Sequence, residues 1–269
     1  MVTLVVSELL VGCSRDSHGY TVVGPAGPLY VDDGGKGGLP VLFVHAFAGK
    51  GLHWKEQLQH LRGSRRALAL DLRGHGASGS PSDNNYAVDA LASDIAAVAV
   101  ERGLKRFVLV GHSMGGAASI RYASTHPERV AGLVLVSTPG KTPSEMVTAV
   151  MGAMKADYVK ATQGYWDKLL KNAQPEVNSL IREGISRVPQ AASVAMIESI
   201  FAYDPFSDLA AYKGPKLIVD TDAPDAAGAL HMQAQSVSRK VIAQTSHWPQ
   251  MDRPEVFNGI LDVFLAAAR

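Results

Sequence analysis

Short apolar runs alternate with segments of helical spacing along most of this 269-residue chain. A continuous apolar run is typical of a strand buried on both faces, whereas apolar residues three and four apart indicate a helix. These patterns predict strands at 41–44, 67–72, 107–110 and 130–136, with helices at 54–61 and 86–102. Shorter apolar pieces at 4–6, 20–23 and 29–31 are typical of antiparallel strands. The alternation predicts a mostly parallel sheet with helices on both faces.

The alternation stops after residue 141 and resumes near residue 216. No convincing strand pattern lies between them, and four amphipathic segments predict helices at 144–162, 165–172, 176–187 and 191–201. Beyond this region the pattern predicts strands at 216–220 and 240–244 and helices at 226–236 and 254–268. The middle region is therefore interpreted as a helical insertion in an α/β domain.

Composition and charge exclude several classes of function. The chain is 46% hydrophobic and 19% charged with a formal net charge of +1, so neither nucleic acid nor an anionic membrane is expected to bind. Cys13 is the single cysteine, which rules out an internal disulfide and a cysteine-based metal site. The residues before it include Glu8 and lack Lys and Arg, which makes a poor signal peptide, so a cytoplasmic location is expected.

A candidate nucleophile lies in the segment Gly111-His112-Ser113-Met114-Gly115, directly after a predicted strand and before an Ala-rich helix. In the G-x-S-x-G pattern the serine occupies a sharp strand-to-helix turn that exposes its hydroxyl above the sheet. The glycines are required where neighbouring backbone passes close by. Ser113 also lies at a helix N-terminus, which favours developing negative charge.

The base and the orienting acid are expected on loops at the carboxyl edge of the sheet. His247 follows the predicted strand 240–244 and is favoured as the base, while His231 falls within a predicted helix. Three carboxylates follow or end the strand 216–220, and Asp222 is favoured over Asp225 and over Asp220, which belongs to the strand. Backbone N–H groups of Met114 and of Phe47, or Ala46 as an alternative, are the expected oxyanion donors.

These motifs together resemble those of α/β-hydrolase-fold serine hydrolases over nearly the whole chain. The resemblance rests on GHSMGG, FVHAFAG, Trp54, DLRGHGASG and SHWPQMDRPEVF. It implies a mostly parallel eight-stranded sheet with a helical cap inserted after the sixth strand, and no cofactor. The core domain would comprise 1–140 and 211–269, and the cap 141–210. Two positions depart from the family pattern: Ala46 replaces a glycine, and Pro224 stands at the usual position of the acid.

The resemblance implies a carboxylesterase or lactonase that acts on small apolar esters through a Ser113–His247–Asp222 triad and an acyl-enzyme. Perhydrolysis or C–C bond hydrolysis by the same triad is the alternative, and a non-catalytic ligand-binding protein is the second. A dehalogenase or an epoxide hydrolase is disfavoured, because the resemblance implies a carboxylate nucleophile for those enzymes at the position of Ser113.

An apolar pocket beneath the cap is expected to receive the substrate, since ligand sites are largely apolar. A small-molecule ester or lactone is the expected partner, and a homodimer is compatible with the sequence. No Asp, Glu and His set has the spacing of a metal site. The side chains predicted to line the pocket are Trp54, Met151, Met154, Tyr158, Tyr165, Trp166, Phe201 and Trp248.

Overall fold

The computed structural model of the protein describes residues 17–222 and 228–268. The predicted strand at 4–6, Cys13 and Asp225 lie outside these residues. Among the described residues, no helix is both long and apolar enough to cross a bilayer.

Eight strands form one sheet in the order β1-β2-β4-β3-β5-β6-β7-β8. Strand β2 pairs antiparallel with β1 and with β4, and the remaining pairs are parallel. This confirms the prediction of a mostly parallel sheet. The strands are β1 (Ser17–Gly24), β2 (Gly27–Gly34), β3 (Val41–Val44), β4 (Ala67–Leu70), β5 (Phe107–His112), β6 (Val130–Val136), β7 (Lys216–Thr221) and β8 (Ser238–Ile242).

Helices cover both faces of this sheet. One face packs against α2 and α3, and the other against α1 and α11. The helices around the sheet are a 3-10 turn (Gly51–Trp54), α1 (Lys55–Leu61), α2 (Val88–Glu101), α3 (Met114–Thr125), α9 (Leu230–Gln233), α10 (Pro249–Asp252) and α11 (Pro254–Ala267). The helices between β6 and β7 are α4 (Ser144–Ala156), α5 (Tyr158–Leu169), α6 (Pro175–Ser186), α7 (Gln190–Ala202) and α8 (Phe206–Ala211).

The helical region lies where the loss of alternation predicts it, after β6. Trp166, Ile181 and Met196 of its helices join the same apolar cluster as core residues of the sheet. The predicted single helix at 144–162 is wrong in one respect, because the helix is interrupted at Asp157, where the backbone is extended (φ −154°). The Asp157 carboxylate accepts a hydrogen bond from the Lys160 N–H at 3.0 Å and so begins α5 as its N-cap.

Candidate active site

The turn between β5 and α3 places Ser113 above the carboxyl edge of the sheet. Ser113 has φ 51° and ψ −115°, a conformation that L-residues rarely adopt. A Cβ on Gly111 would lie 2.5 Å from the Gly115 carbonyl oxygen, and one on Gly115 would lie 2.7 Å from the carbonyl oxygen of Val44. The glycines of the motif thus allow β5, α3 and β3 to approach closely enough to hold the turn.

Two backbone N–H groups lie unused near this serine. In the described part of the chain, neither the N–H of Met114 nor that of Phe47 donates a hydrogen bond. The Met114 N–H belongs to the first turn of α3, where helix geometry provides no partner. Both predicted oxyanion donors are therefore free to bind a developing negative charge.

Ala46 fits its position in this loop without strain. The residue of the loop with a positive φ is Ala48 (φ 55°), so an alanine at position 46 needs no left-handed conformation. The loop is closed by the Gly49 N–H, which donates to the Ala46 carbonyl at 3.0 Å, and by the Ala48 N–H, which donates to His75 Nε2 at 3.2 Å. The replacement of glycine therefore leaves the loop conformation intact.

His247 lines the same cavity as Ser113. Its peptide N–H donates to the carbonyl of Leu169 at the end of α5 (3.0 Å), and its carbonyl accepts from His112 Nε2 (2.8 Å). Gln250 Nε2 donates to the other ring nitrogen of His112 at 3.2 Å, which sets the neutral tautomer of that ring. Burial lowers the pKa of His247 from 6.5 to about 4, so its imidazole is a neutral proton acceptor near pH 7.

The carboxylates after β7 have other partners in this conformation. Asp222 is exposed and accepts a hydrogen bond from the Gln244 N–H at 2.9 Å, and no described carboxylate bonds the ring of His247. Asp220 pairs with His231 at 2.8 Å and with Arg239 at 3.0 Å. Asp225 lies outside the described residues. The assignment of Asp222 as the orienting acid therefore stays a prediction.

The cavity that Ser113 and His247 share is small, at about 30 Å³. A space of this size holds one or two water molecules. Of the residues predicted to line the substrate pocket, Tyr165, Trp166 and Trp248 line this cavity. Its remaining lining residues are Ala46, Phe47, Leu169, Ile197 and Ile200.

Trp54 is a core residue rather than a lining residue of this cavity. Its ring is fully buried against Phe43 (4.9 Å between centroids) and Phe257 (6.0 Å). Met151, Met154, Tyr158 and Phe201 also lie outside the lining of this cavity. Sequence reasoning missed Ile197 and Ile200, although their spacing of three residues on an amphipathic helix was the available signal.

An aromatic stack closes the cavity from the side of the cap. Trp166 of α5 stacks on Phe47 of the oxyanion loop, with 5.4 Å between centroids and an interplanar angle of 10°. The Trp166 ring also lies 6.4 Å from that of Trp248, the residue after the base. Movement of α5 is therefore the direct way to widen the cavity for a substrate.

No group of three or more His, Cys, Asp or Glu side chains arranged to hold a metal ion occurs within 17–222 and 228–268.

Comparison with known proteins agrees with this fold. The chain is 24% identical over 298 residues to epoxide hydrolase 3 of Xenopus tropicalis, with 95% of this chain and 80% of that protein covered. Among solved structures it is similar to an N-acyl homoserine lactone degrading enzyme (25% identity, TM-score 0.81, 91% of this chain and 100% of the other). A thermophilic esterase from Thermogutta terrifontis matches at 25% identity and TM-score 0.77, with 93% and 99% covered.

Several other curated relatives match over a smaller part of their own length, 29% in one case. The family model for the alpha/beta hydrolase fold matches residues 40–177, about half of the chain, from the start of β3 into α6. That span contains the loop of Phe47 and the turn of Ser113. The chain belongs to the α/β-hydrolase fold family.

Proposed function

We propose that this protein is a cofactor-independent serine hydrolase that cleaves carboxylic esters, with small apolar esters or lactones as substrates. One observation carries the proposal: Ser113, in a strained turn, shares a cavity with the neutral imidazole of His247, beside two unpaired backbone N–H groups. This is the set of groups that acyl transfer to a serine requires. The likeness to an esterase and to a lactone-degrading enzyme at 25% identity supports the same substrate class.

In the proposed reaction His247 accepts the proton of Ser113 as its Oγ attacks the ester carbonyl. The Met114 and Phe47 N–H groups donate to the resulting oxyanion, and each such donor contributes about 3 to 4 kcal/mol in comparable enzymes. The tetrahedral intermediate collapses as His247 returns the proton to the departing alcohol. A water molecule, activated by His247, then releases the carboxylic acid from the acyl-enzyme.

The orienting acid in this proposal is Asp222, with Asp225 as the alternative. Asp222 is held by the N–H of Gln244, three residues before the base, so its backbone lies beside the loop that carries His247. Comparing Asp222→Asn with Asp225→Asn separates the two, because only the loss of the true acid lowers kcat by a large factor.

The decisive experiment is Ser113→Ala assayed with p-nitrophenyl acetate. We expect kcat/KM to fall by at least about a thousandfold, because the nucleophile is removed. Ser144→Ala, an exposed serine at the start of α4, is the matched control and should retain full activity. Retention of wild-type turnover by Ser113→Ala would refute the assignment. A fluorophosphonate probe that fails to label Ser113 would favour a non-catalytic binding protein.

A panel of substrates then separates the chemistries that the same groups support. Esters and lactones of graded acyl length test the proposal directly. Peroxide with acetate tests perhydrolysis, and ring-cleavage products test C–C bond hydrolysis. Activity confined to either of the last two would overturn ester cleavage as the reaction and leave the roles of Ser113 and His247 in place.

A further inference from the structure

A second and larger cavity, of about 140 Å³, lies between the loops that follow β3 and β4 and the C-terminal end of helix α6. Its walls come from the chain after β3, the loop after β4 and the C-terminal part of α6, and it shares no lining residue with the cavity of Ser113. A cavity of comparable volume admits a molecule the size of benzene. This space is therefore large enough for a ligand of about six non-hydrogen atoms.

His53 lines this cavity with its hydrogen-bonding capacity unused. His53 is 3% exposed, and its ring Nδ1 is buried without a hydrogen-bond partner. Within the described residues the ring Nε2 makes no hydrogen bond either. A buried polar group without a partner destabilises a protein, and such groups are rare in folded proteins. Burial, and next the charge of Lys50, lowers the pKa of His53 to about 4. The ring is thus neutral near pH 7 and presents one N–H and one lone pair.

The charges around the cavity favour an anion. Lys50 is half-buried in the wall and has no ion pair within the described part of the chain. Arg187 and Glu183 also line it and pair with each other across one turn of α6. Asp71, behind the wall, accepts from the N–H groups of Gly51 and Ala77 and also interacts with the charge of Lys50. It does not line the cavity, whose charged lining residues Lys50, Arg187 and Glu183 sum to +1.

We propose that this cavity binds a small carboxylate anion, with Lys50 and Arg187 pairing with its charge and the ring of His53 donating to one of its oxygens. Burial within the wall makes the Lys50 contact stronger than an exposed ion pair, and the anion satisfies the imidazole N–H. The site is separate from the proposed catalytic cavity, so it does not depend on ester cleavage.

Butyrate, with six non-hydrogen atoms, is the probe, and butyramide is its uncharged counterpart. Both are titrated into the Ser113→Ala protein at constant ionic strength, with the ring resonances of His53 and the unfolding temperature as readouts. We expect a saturable shift of the His53 signals and a rise in unfolding temperature with butyrate alone. An equal response to butyramide, or no saturable response to butyrate, would overturn the proposal.

Paired variants locate the bound anion. Lys50→Met should weaken butyrate binding at least tenfold, whereas Lys55→Met removes the same charge from an exposed position on α1 and should leave it unchanged. Arg187→Met should also weaken binding, while Arg182→Met, on the same helix but outside the cavity, should not. If Trp166→Leu abolishes binding and Lys50→Met does not, butyrate occupies the Ser113 cavity and the proposed site is wrong.

Discussion

The imidazole of His247 owes its neutral state to its burial. Because its pKa is lowered to about 4, the neutral form that accepts a proton from Ser113 persists well below pH 6.5. We expect kcat/KM for an uncharged ester to rise with pH through a midpoint nearer 4 than 6.5. Short pH-jump assays measure this before the protein unfolds. A midpoint at or above 6.5 would indicate a carboxylate on the ring, and Asp222→Asn, or Asp225→Asn in the alternative assignment, should then lower it.

Gly115 is required by contact rather than by its backbone angles. A Cβ at this position would lie 2.7 Å from the Val44 carbonyl oxygen, so Gly115→Ala must push α3 away from β3. We expect a stability loss of about 1 to 3 kcal/mol and a large drop in kcat, since both the nucleophile and the Met114 N–H move. Urea unfolding and ester assays measure the two effects.

Gly152 provides the matched control for that substitution. A Cβ at Gly152 would meet no atom within 4 Å, and the residue lies inside α4. Gly152→Ala should therefore raise stability by up to about 1 kcal/mol through helix propensity and leave turnover unchanged. Equal losses in the two variants would contradict the steric argument.

Local motifs explain why the chemical groups could be predicted and the pocket wall could not. Ser113, Met114 and Phe47 belong to short segments whose conformation is dictated by their own residues, such as the glycines of the turn. Ile197 and Ile200 reach the cavity only because α7 packs into the same apolar cluster as core residues of the sheet, and that placement depends on tertiary contacts. The acid is ambiguous because three carboxylates lie within six residues of chain.

At the scale of elements, helix α5 controls the size of the catalytic cavity. Trp166→Leu removes the ring that stacks on Phe47 and enlarges a space of about 30 Å³. We expect the ratio of kcat/KM for octanoate over acetate p-nitrophenyl esters to rise about tenfold, because longer acyl chains gain room. Stability should fall by about 1 to 3 kcal/mol, since a buried ring is lost.

Tyr158→Leu tests whether that effect belongs to the cavity or to the helix. Tyr158 begins α5 but does not line the cavity, so its substitution should leave the ratio unchanged. If the octanoate-to-acetate ratio rises by the same factor in both variants, the effect comes from general loosening of α5 and not from loss of the Trp166 ring.

The bounds of strands buried on both faces were predictable almost to the residue, because a short continuous apolar run between turn residues forms a buried strand in such a sheet. Strands β3 and β6 coincide with the predicted runs. The helices of the cap were harder, since the residue that ends one helix and begins the next, Asp157, also fits a helix interior by composition. The predicted helix 226–236 contains only the four residues of α9 within its described part.

At the scale of the whole molecule, four buried histidines and the half-buried His247 make the fold sensitive to acid. Burial lowers the pKa of His45 and His75 to about 3 and of His53 and His247 to about 4, and it places that of His112 well below 6.5. Below pH 6.5 these histidines therefore bind protons in the unfolded chain but stay neutral in the folded protein, down to their lowered pKa values. The stabilisation is complete above pH 6.5 and is lost as the pH falls toward the folded pKa values.

Each of these histidines should lower the free energy of unfolding by about 1.4 kcal/mol per pH unit between pH 6.5 and the folded pKa values. Urea unfolding at pH 7.5, 6 and 5 measures this, and we expect a steep decline below pH 6.5. A free energy of unfolding that stays constant over that range would mean that these rings are protonated in the folded protein.

The hydrogen bond from the peptide N–H of His247 to Leu169 ties the general base to the last turn of α5. The helix whose movement would widen the cavity for an ester is therefore also the support of the proposed base. A movement of α5 that breaks this hydrogen bond would release His247, so substrate entry and proton transfer would occur one after the other. Each cycle would then include the return of α5 to its place. A mutation that speeds substrate entry by loosening α5 would slow the acylation of Ser113 that follows.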